Sequence, residues 1–334
     1  VNSVTTTDDQ PWVPVSDPAT AGAMRRTAVM LGTAVGMNEA AVGQLAIIAS
    51  EIATNLARHA DRGRMHLGLR HESGAVGVRI VATDHGPGMS DVAASSRDGH
   101  STAGTLGIGL GAIQRLADEF DIYSLPDRGT VLVATMWQAP PGAGTGWVAG
   151  VTRAIAGEAV CGDAYAGRDT GTRRQVVLCD GLGHGVLAAR AASAAIDAFL
   201  SAPDSGPRDV LSHVSRSIRH TRGAVAAVAE LTDDRIRFAG VGNVFAAVVR
   251  DTVRQIMVSS PGIVGHQHRD IREFDYAATP GAMVVLHSDG VSDRWRLEDY
   301  PGLLTRPPVV VAATLLRDAG HRHDDAAVLV ARAS

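Results

Sequence analysis

Asp163, Asp180, Asp289 and the pair Asp324-Asp325 each stand at the end or start of an apolar, strand-like run: VCGDAY, VVLCDGLGHG, VVLHSDGVSD and RHDDAAVLV. In a sheet, strand ends of this kind converge on one rim. Carboxylates gathered there can hold two hard cations about 3.5 to 4 Å apart, so that a shared water becomes hydroxide and attacks phosphorus in line. Any one of these acids alone is equally at home in a turn, and two of them stand in Asp-Gly pairs that by themselves mean only a turn. No Cys/His cluster of zinc spacing competes for the assignment.

A second set of residues lies earlier in the chain. Glu51, Asn55 and His59 recur every four residues in ASEIATNLARHA, so they share one face of a helix beside the apolar stripe of Leu45, Ile48, Ile52 and Leu56. Asn offers a neutral oxygen to Mg²⁺ and Glu can take a proton, although a solvated helix face has the same pattern. DHGPGM follows the strand-like AVGVRIVAT. There Asp84 can accept from an exocyclic amine, while Gly86 and Gly88 let the backbone approach a ligand. GTLGIGLGAIQRLADEF then places Gly104, Gly107, Gly109 and Gly111 just before an amphipathic helix, where free N–H groups and the helix dipole attract phosphate.

These positions require an α/β scaffold. Periodicity predicts helices over 23–35, 39–60 and 107–119, a strand pair over 64–71 and 75–83 turning at Ser73-Gly74, and a strand over 129–137. The Pro/Gly-rich QAPPGAGTGW, Gln138 to Trp147, ends that pattern. Beyond it, strands are expected at 174–179, 223–231, 235–241, 243–250 and 282–287, with helices at 185–201, 207–220 and 308–319. The expected division is a domain over 1–139, a linker over 140–148 and a second domain over 149–334.

Taken together, Glu51 to His59 (ExxxNxxxH), Asp84 to Gly88 (DxGxG), the Gly104–Gly111 loop and Gly129-Thr130 resemble the GHKL (Bergerat) ATP-binding fold. Their wording is most similar to the RsbT-type switch kinases. The resemblance implies an α/β sandwich over roughly 20–137 that binds ATP with Mg²⁺. Glu51 would be the base, Asn55 the Mg²⁺ ligand, Asp84 the adenine reader, and the glycines with Thr130 the phosphate cradle; it gives His59 no fixed role. The aspartate strings, with GVGN at Gly240–Asn243, resemble the PPM/PP2C phosphatases in their SpoIIE/RsbX-like branch over roughly 149–332. That implies an α-β-β-α sandwich holding two Mn²⁺ or Mg²⁺ ions. Asp180 would bridge the ions and Gly181 would lend a carbonyl, while Asp163, Asp289 and Asp324 complete the shells, with Asp325 as the substitute for Asp324.

Composition narrows the function. All 31 basic residues are Arg, so no Walker or Schiff-base lysine can take part in the chemistry. Neither half is basic enough for nucleic acid, and the start of the chain does not read as a secretion signal. Cys161 and Cys179 sit in apolar runs and read as core thiols of a reducing compartment. Prolines and glycines break the uncharged stretch from Gly129 to Thr152 before it could span a membrane. The expectation is a cytoplasmic regulator joining an RsbT-like kinase domain to a serine/threonine phosphatase that acts on STAS-type antagonist proteins of a bacterial partner-switching pathway. Two alternatives are a first domain that binds ATP and a partner without catalysis, and a metabolite hydrolase at the carboxylate site. The small, polar segment between Met89 and Thr105 is the expected lid, and the oligomeric state stays open.

Overall fold

The computed structural model describes residues 3–6, 10–92, 109–142, 146–266, 270–321 and 323–333. They divide into two compact units, Gln10–Gly142 and Val1–Asp9 together with Ala143–Ser334.

The first unit begins with two capped helices. In α1 (Pro18–Ala34), Asp17 accepts from Thr20 N at 2.9 Å and Pro18 occupies the first turn, where its missing N–H costs nothing. In α2 (Glu39–His59), Asn38 accepts from Ala41 N, with Glu39 at the positive end and Arg58 and His59 at the negative end of the helix dipole. Leu45, Ile48, Ile52 and Leu56 of α2 pack with Met24, Ala28 and Leu31 of α1 onto one face of an antiparallel sheet. The sheet runs β2 (Val13–Pro14), β3 (Arg64–Glu72), β4 (Ala75–Thr83), β6 (Thr130–Trp137), β5 (Glu119–Ser124). Ser73 and Gly74, with φ of 48° and 81°, close the β3–β4 hairpin as a two-residue turn that demands left-handed backbone twice. By length and apolarity α2 could cross a membrane; here its apolar stripe forms the core of this unit.

Two sheets stack in the second unit. One runs β1 (Ser3–Thr6), β8 (Asp163–Asp169), β9 (Arg174–Gly181), β10 (Ala224–Leu231), β11 (Arg235–Val241), β14 (Phe274–Ala277). The other runs β13 (Val253–Ile256), β12 (Phe245–Arg250), β15 (Met283–His287), β16 (Ala326–Arg332), β7 (Val148–Arg153). Leu178, Ala227 and Phe238 of the first meet Val248, Leu286 and Leu329 of the second in a shared apolar layer. Helix α4 (Val186–Ser201), built from alanines and Phe199, and α5 (Pro207–Ser217) cover the outer face of the first sheet. Helix α6 (Pro308–Ala319) packs against β16 and β7. The result is the expected α-β-β-α order.

The expected boundaries need three corrections. Ser3–Thr6 pairs antiparallel with Arg168, Gly167 and their neighbours on β8, so the chain starts in the second unit's sheet and not within a domain over 1–139. Trp147 and Val148, assigned to the linker, are 6% and 1% exposed in the second core, because the Trp147 carbonyl accepts from Arg332 N and its ring lies under Arg174. The helix expected over 107–119 is described over Gly109–Leu116 (α3), 107 and 108 lying outside the described residues, and it ends before 119 because Glu119–Ser124 instead pairs as a strand with β6.

Candidate functional site

Strand pairing and loop packing carry the aspartates of the second unit toward one rim. β8 and β9 pair with Asp163 directly opposite Asp180. The loop after β15 brings Asp289 to the same rim, because Gly290 lies so close to the Asp325 carbonyl that a Cβ would sit 1.8 Å from its oxygen. Gly181 is equally constrained, since a Cβ would be 2.2 Å from the Ala188 carbonyl oxygen. Gly181 also donates its N–H to the Gly162 carbonyl.

Negative charge is concentrated there. Burial first, then the carboxylates of Asp289 and Asp324, push Asp180 up to about 7. Burial and then Asp180 raise Asp163 well above the usual carboxylate range, although the Ser288 hydroxyl donates to it at 2.6 Å. Asp324 is raised by burial and by Asp289, against which His184 acts. Such mutual elevation marks a site short of positive charge, and an all-oxygen donor set suits Mg²⁺ or Mn²⁺. The side chains are not gathered as a ready-made cage of three or more ligands among the described residues. Each is instead turned to a local partner: Asp163 to Ser288, and Asp289 to the Asn243 amide, which donates to it at 2.8 Å.

The final pair separates clearly. Asp325, 3% exposed, accepts from Ile155 N at 2.8 Å and from Gly162 N at 2.9 Å through its two oxygens. Asp324 spends one oxygen on Asp325 N and is more open to the rim. Asp325 therefore has the environment of a backbone clamp, whereas Asp324 remains exposed at the rim. Ser288 and Asn243 received no role from sequence. Their signal was adjacency to Asp289 in HSDG and the polar end of GVGN. His184 pairs with Glu158 at 2.8 Å, and the thiols of Cys161 and Cys179 are buried and raised by desolvation.

In the first unit, Asp84 lies just beyond β4, where its N–H donates to the Thr130 carbonyl and its carboxylate accepts from Gly86 N at 2.7 Å. A Cβ on Gly86 would meet the His59 carbonyl at 3.0 Å, so this loop packs on the end of α2. Gly88 and Gly129 have φ of 66° and 75°, and a Cβ on them would lie 1.9 Å from the Leu125 carbonyl oxygen and 2.1 Å from that of Asp84. The Thr130 hydroxyl is 2.9 Å from that of Ser124. Gly109 of α3 stands beside α2, within 4 Å of both the Asn55 amide and the Glu51 carboxylate for a Cβ placed there. Gly111 is buried in the same helix. Glu51, Asn55 and Gly109 of α3 are thus brought together. Gly104, Gly107 and residues 93–105 of the expected lid lie outside the described residues.

Two family descriptions match these halves: histidine kinase-like ATPase domain over residues 15–136, and stage II sporulation protein E (SpoIIE) over residues 170–334. The chain joins a histidine kinase-like ATPase domain to a SpoIIE domain. The ATPase domain is similar to the serine/threonine-protein kinase RsbT of Bacillus subtilis (strain 168), with 39% identity over 88 residues. That match spans 26% of this chain and 66% of the relative, just short of two thirds. Among solved structures, a chain described under "the bacterial stressosome: a modular system that has been adapted to control secondary messenger signaling" is 29% identical at a TM-score of 0.52. It covers 55% of this chain and 98% of its own. RsbX in complex with magnesium is 16% identical at a TM-score of 0.47, covering 56% of this chain and 94% of its own.

Proposed function

We propose that the SpoIIE domain is a Mn²⁺- or Mg²⁺-dependent protein serine/threonine phosphatase. On this reading the ATPase domain binds ATP with Mg²⁺ and phosphorylates a protein hydroxyl, and both act on STAS-type antagonists in a cytoplasmic partner-switching pathway. One observation carries the phosphatase reading: acids from four separate chain segments share a rim where burial and mutual repulsion raise Asp180 and Asp163 together. Bound there, two ions would supply a hydroxide nucleophile and neutralise the phosphoryl oxygens.

The chain's own residues prepare that chemistry. Asp163, Asp180, Asp289, Asp324 and the Gly181 carbonyl would hold the ions. Ser288 fixes one oxygen of Asp163, and Asn243 fixes one of Asp289, so each carboxylate presents its other oxygen in a set direction. In the ATPase domain, Asp84 would read the adenine amine, while Asn55 and the backbone near Gly109 would receive the phosphates. Glu51, on the same side of α2 and next to Gly109, is placed to take the proton of an attacking hydroxyl.

The test is direct. Asp180→Asn and Asp289→Asn are expected to lose Mn²⁺-dependent hydrolysis of p-nitrophenyl phosphate at least a hundredfold. Near-normal turnover in both would remove the assignment. For the ATPase domain, Asn55→Ala and Asp84→Ala should lose ATP affinity in calorimetry. Glu51→Ala should keep that affinity but stop phosphoryl transfer to a STAS protein.

A further inference from the structure

A cavity of about 730 Å³ opens directly beside the carboxylate rim, with Asp289 and Asn243 in its wall. Its apolar side comes from Phe245, Ile256 and Met257. Interlocked rings brace it: Phe245 stacks on His287 at 4.3 Å, with the Trp295 edge 5.9 Å from Phe245. The Arg254 guanidinium lies 4.7 Å above Trp295 and donates to the Asp293 and Trp295 carbonyls at 2.6 and 2.9 Å. The hollow is preformed.

Its apolar side continues onto a free edge. Among the described residues β13 is the last strand of its sheet and pairs only with β12. Along and just beyond it Val253, Ile256 and Val258 are 61%, 54% and 57% exposed, and Ile256 and Val258, two residues apart, fall on the same side of the chain. An edge of this kind offers backbone donors and acceptors to an extended chain, while adjacent pockets select its side chains. Arg294, in the cavity wall and exposed, makes no ion pair among the described residues.

We propose that the cavity and the β13 edge together form the docking site for the extended segment that flanks the phosphorylated serine or threonine of the protein substrate. The segment would place an apolar side chain against Ile256 and Met257 and an acidic one toward Arg294. The occupant follows from continuity. A phosphate held at Asp180 and Asp289 fixes the residue that carries it, and each further residue of an extended chain advances about 3.3 Å, so a segment leaving past Asn243 and Asp289 enters this cavity within a few residues. The inference rests on the phosphatase reading.

The probe is a fluorescein-labelled dodecapeptide with one phosphoserine, leucines at alternate positions and one glutamate, compared with p-nitrophenyl phosphate, both with Mn²⁺ and full-length protein. Ile256→Asp is expected to raise the peptide KM at least tenfold, with kcat and p-nitrophenyl phosphate turnover within twofold of wild type. Arg294→Glu should raise the peptide KM about threefold, and Arg294→Lys should restore it. An unchanged peptide KM in Ile256→Asp overturns the proposal, as does an equal loss on both substrates by a variant with a wild-type melting curve. If wild type hydrolyses neither substrate, the phosphatase reading fails, and peptide anisotropy then decides the docking site. Tenfold weaker binding by Ile256→Asp upholds it and equal binding overturns it. A wild-type dimer that Ile256→Asp dissociates without changing peptide affinity would assign the edge to a second copy and also overturn it.

Discussion

Replacing Asp325 with Ala should unfold the SpoIIE domain more readily, whereas replacing its neighbour Asp324 should chiefly remove activity. Asp325 ties the start of β16 to two backbone N–H groups more than 160 residues earlier in the chain, at Ile155 and Gly162. Leaving a buried N–H without an acceptor costs about 1–3 kcal/mol, so two cost roughly 2–6 kcal/mol. Part is offset, because Asp325 also helps raise Asp163 and Asp180, and its removal relieves that repulsion. A net loss of about 2–4 kcal/mol remains. In a unit of about 200 residues, 1 kcal/mol moves Tm by roughly 2–4 °C, giving a drop of about 5–15 °C. Asp324→Ala strands one part-buried donor, Asp325 N, where Asp325→Ala strands two, and it removes a carboxylate from the crowded rim, so it should cost about 1 kcal/mol. Asp325→Asn keeps one acceptor oxygen and should fall between. The assay is calorimetric melting without added divalent ion, paired with Mn²⁺-dependent p-nitrophenyl phosphate turnover. An Asp325→Ala melt within 2 °C of wild type, or equal drops in the two alanine variants, would refute the division of roles.

Three further outcomes are expected. Gly129→Ala combines left-handed backbone with a Cβ 2.1 Å from the Asp84 carbonyl oxygen, and should cost more than about 2 kcal/mol in urea unfolding and abolish ATP binding; Gly74→Ala, left-handed but in open space, should cost only about 1 kcal/mol. Arg168 is 1% exposed and donates to the Phe199 and Ala202 carbonyls and to Gln175, so Arg168→Ala, which strands those acceptors, should cost about 3–5 kcal/mol by the same measurement. His66, lowered to about 4 by burial and then by Arg79, stays neutral when folded while the unfolded chain takes a proton near 6.5. Stability should therefore fall as pH drops from 7 to 5, by about 1–2 kcal/mol from this group; His66→Leu should flatten that slope, and an unchanged slope would show the dependence lies elsewhere.

Much of both sites could be read from the sequence because their chemistry is local. The ExxxNxxxH spacing puts Glu51 and Asn55 on one side of α2, and each aspartate adjoins an apolar run long enough to be a strand. What escaped depends on distant partners. β8 reads DAYAGRD, a poor strand by composition. It becomes the buried neighbour of β9 because Gln175 and the carbonyls at the end of α4 satisfy Arg168. β13 and β14 are short edges of four residues each, with no periodicity to detect. By periodicity Glu119 ends a helix and 120–124 carry no element; β6 supplies the ladder that makes Glu119–Ser124 a strand. Asp324 and Asp325 are chemically identical, and only the two N–H groups across the chain tell them apart.

The first strand has a consequence of its own for the ATPase domain. Because β1 lies on β8 and the chain returns only at Trp147, the whole ATPase domain is looped out between two strands of the other unit. If that loop were a random coil of some 140 residues, docking β1 would carry a closure entropy of about 4 kcal/mol. Folded, the insert leaves from the region of His66, near Gln10, and returns at Gly142, which lies against Ser73. Those points are seven residues apart along one strand and its turn, about 23 Å. Most of the closure entropy is then already spent. Whatever steadies the insert, nucleotide included, therefore tightens β1 on the strand that begins with Asp163, through chain connectivity alone. A fragment cut after the insert would lose β1 and bare the edge of β8.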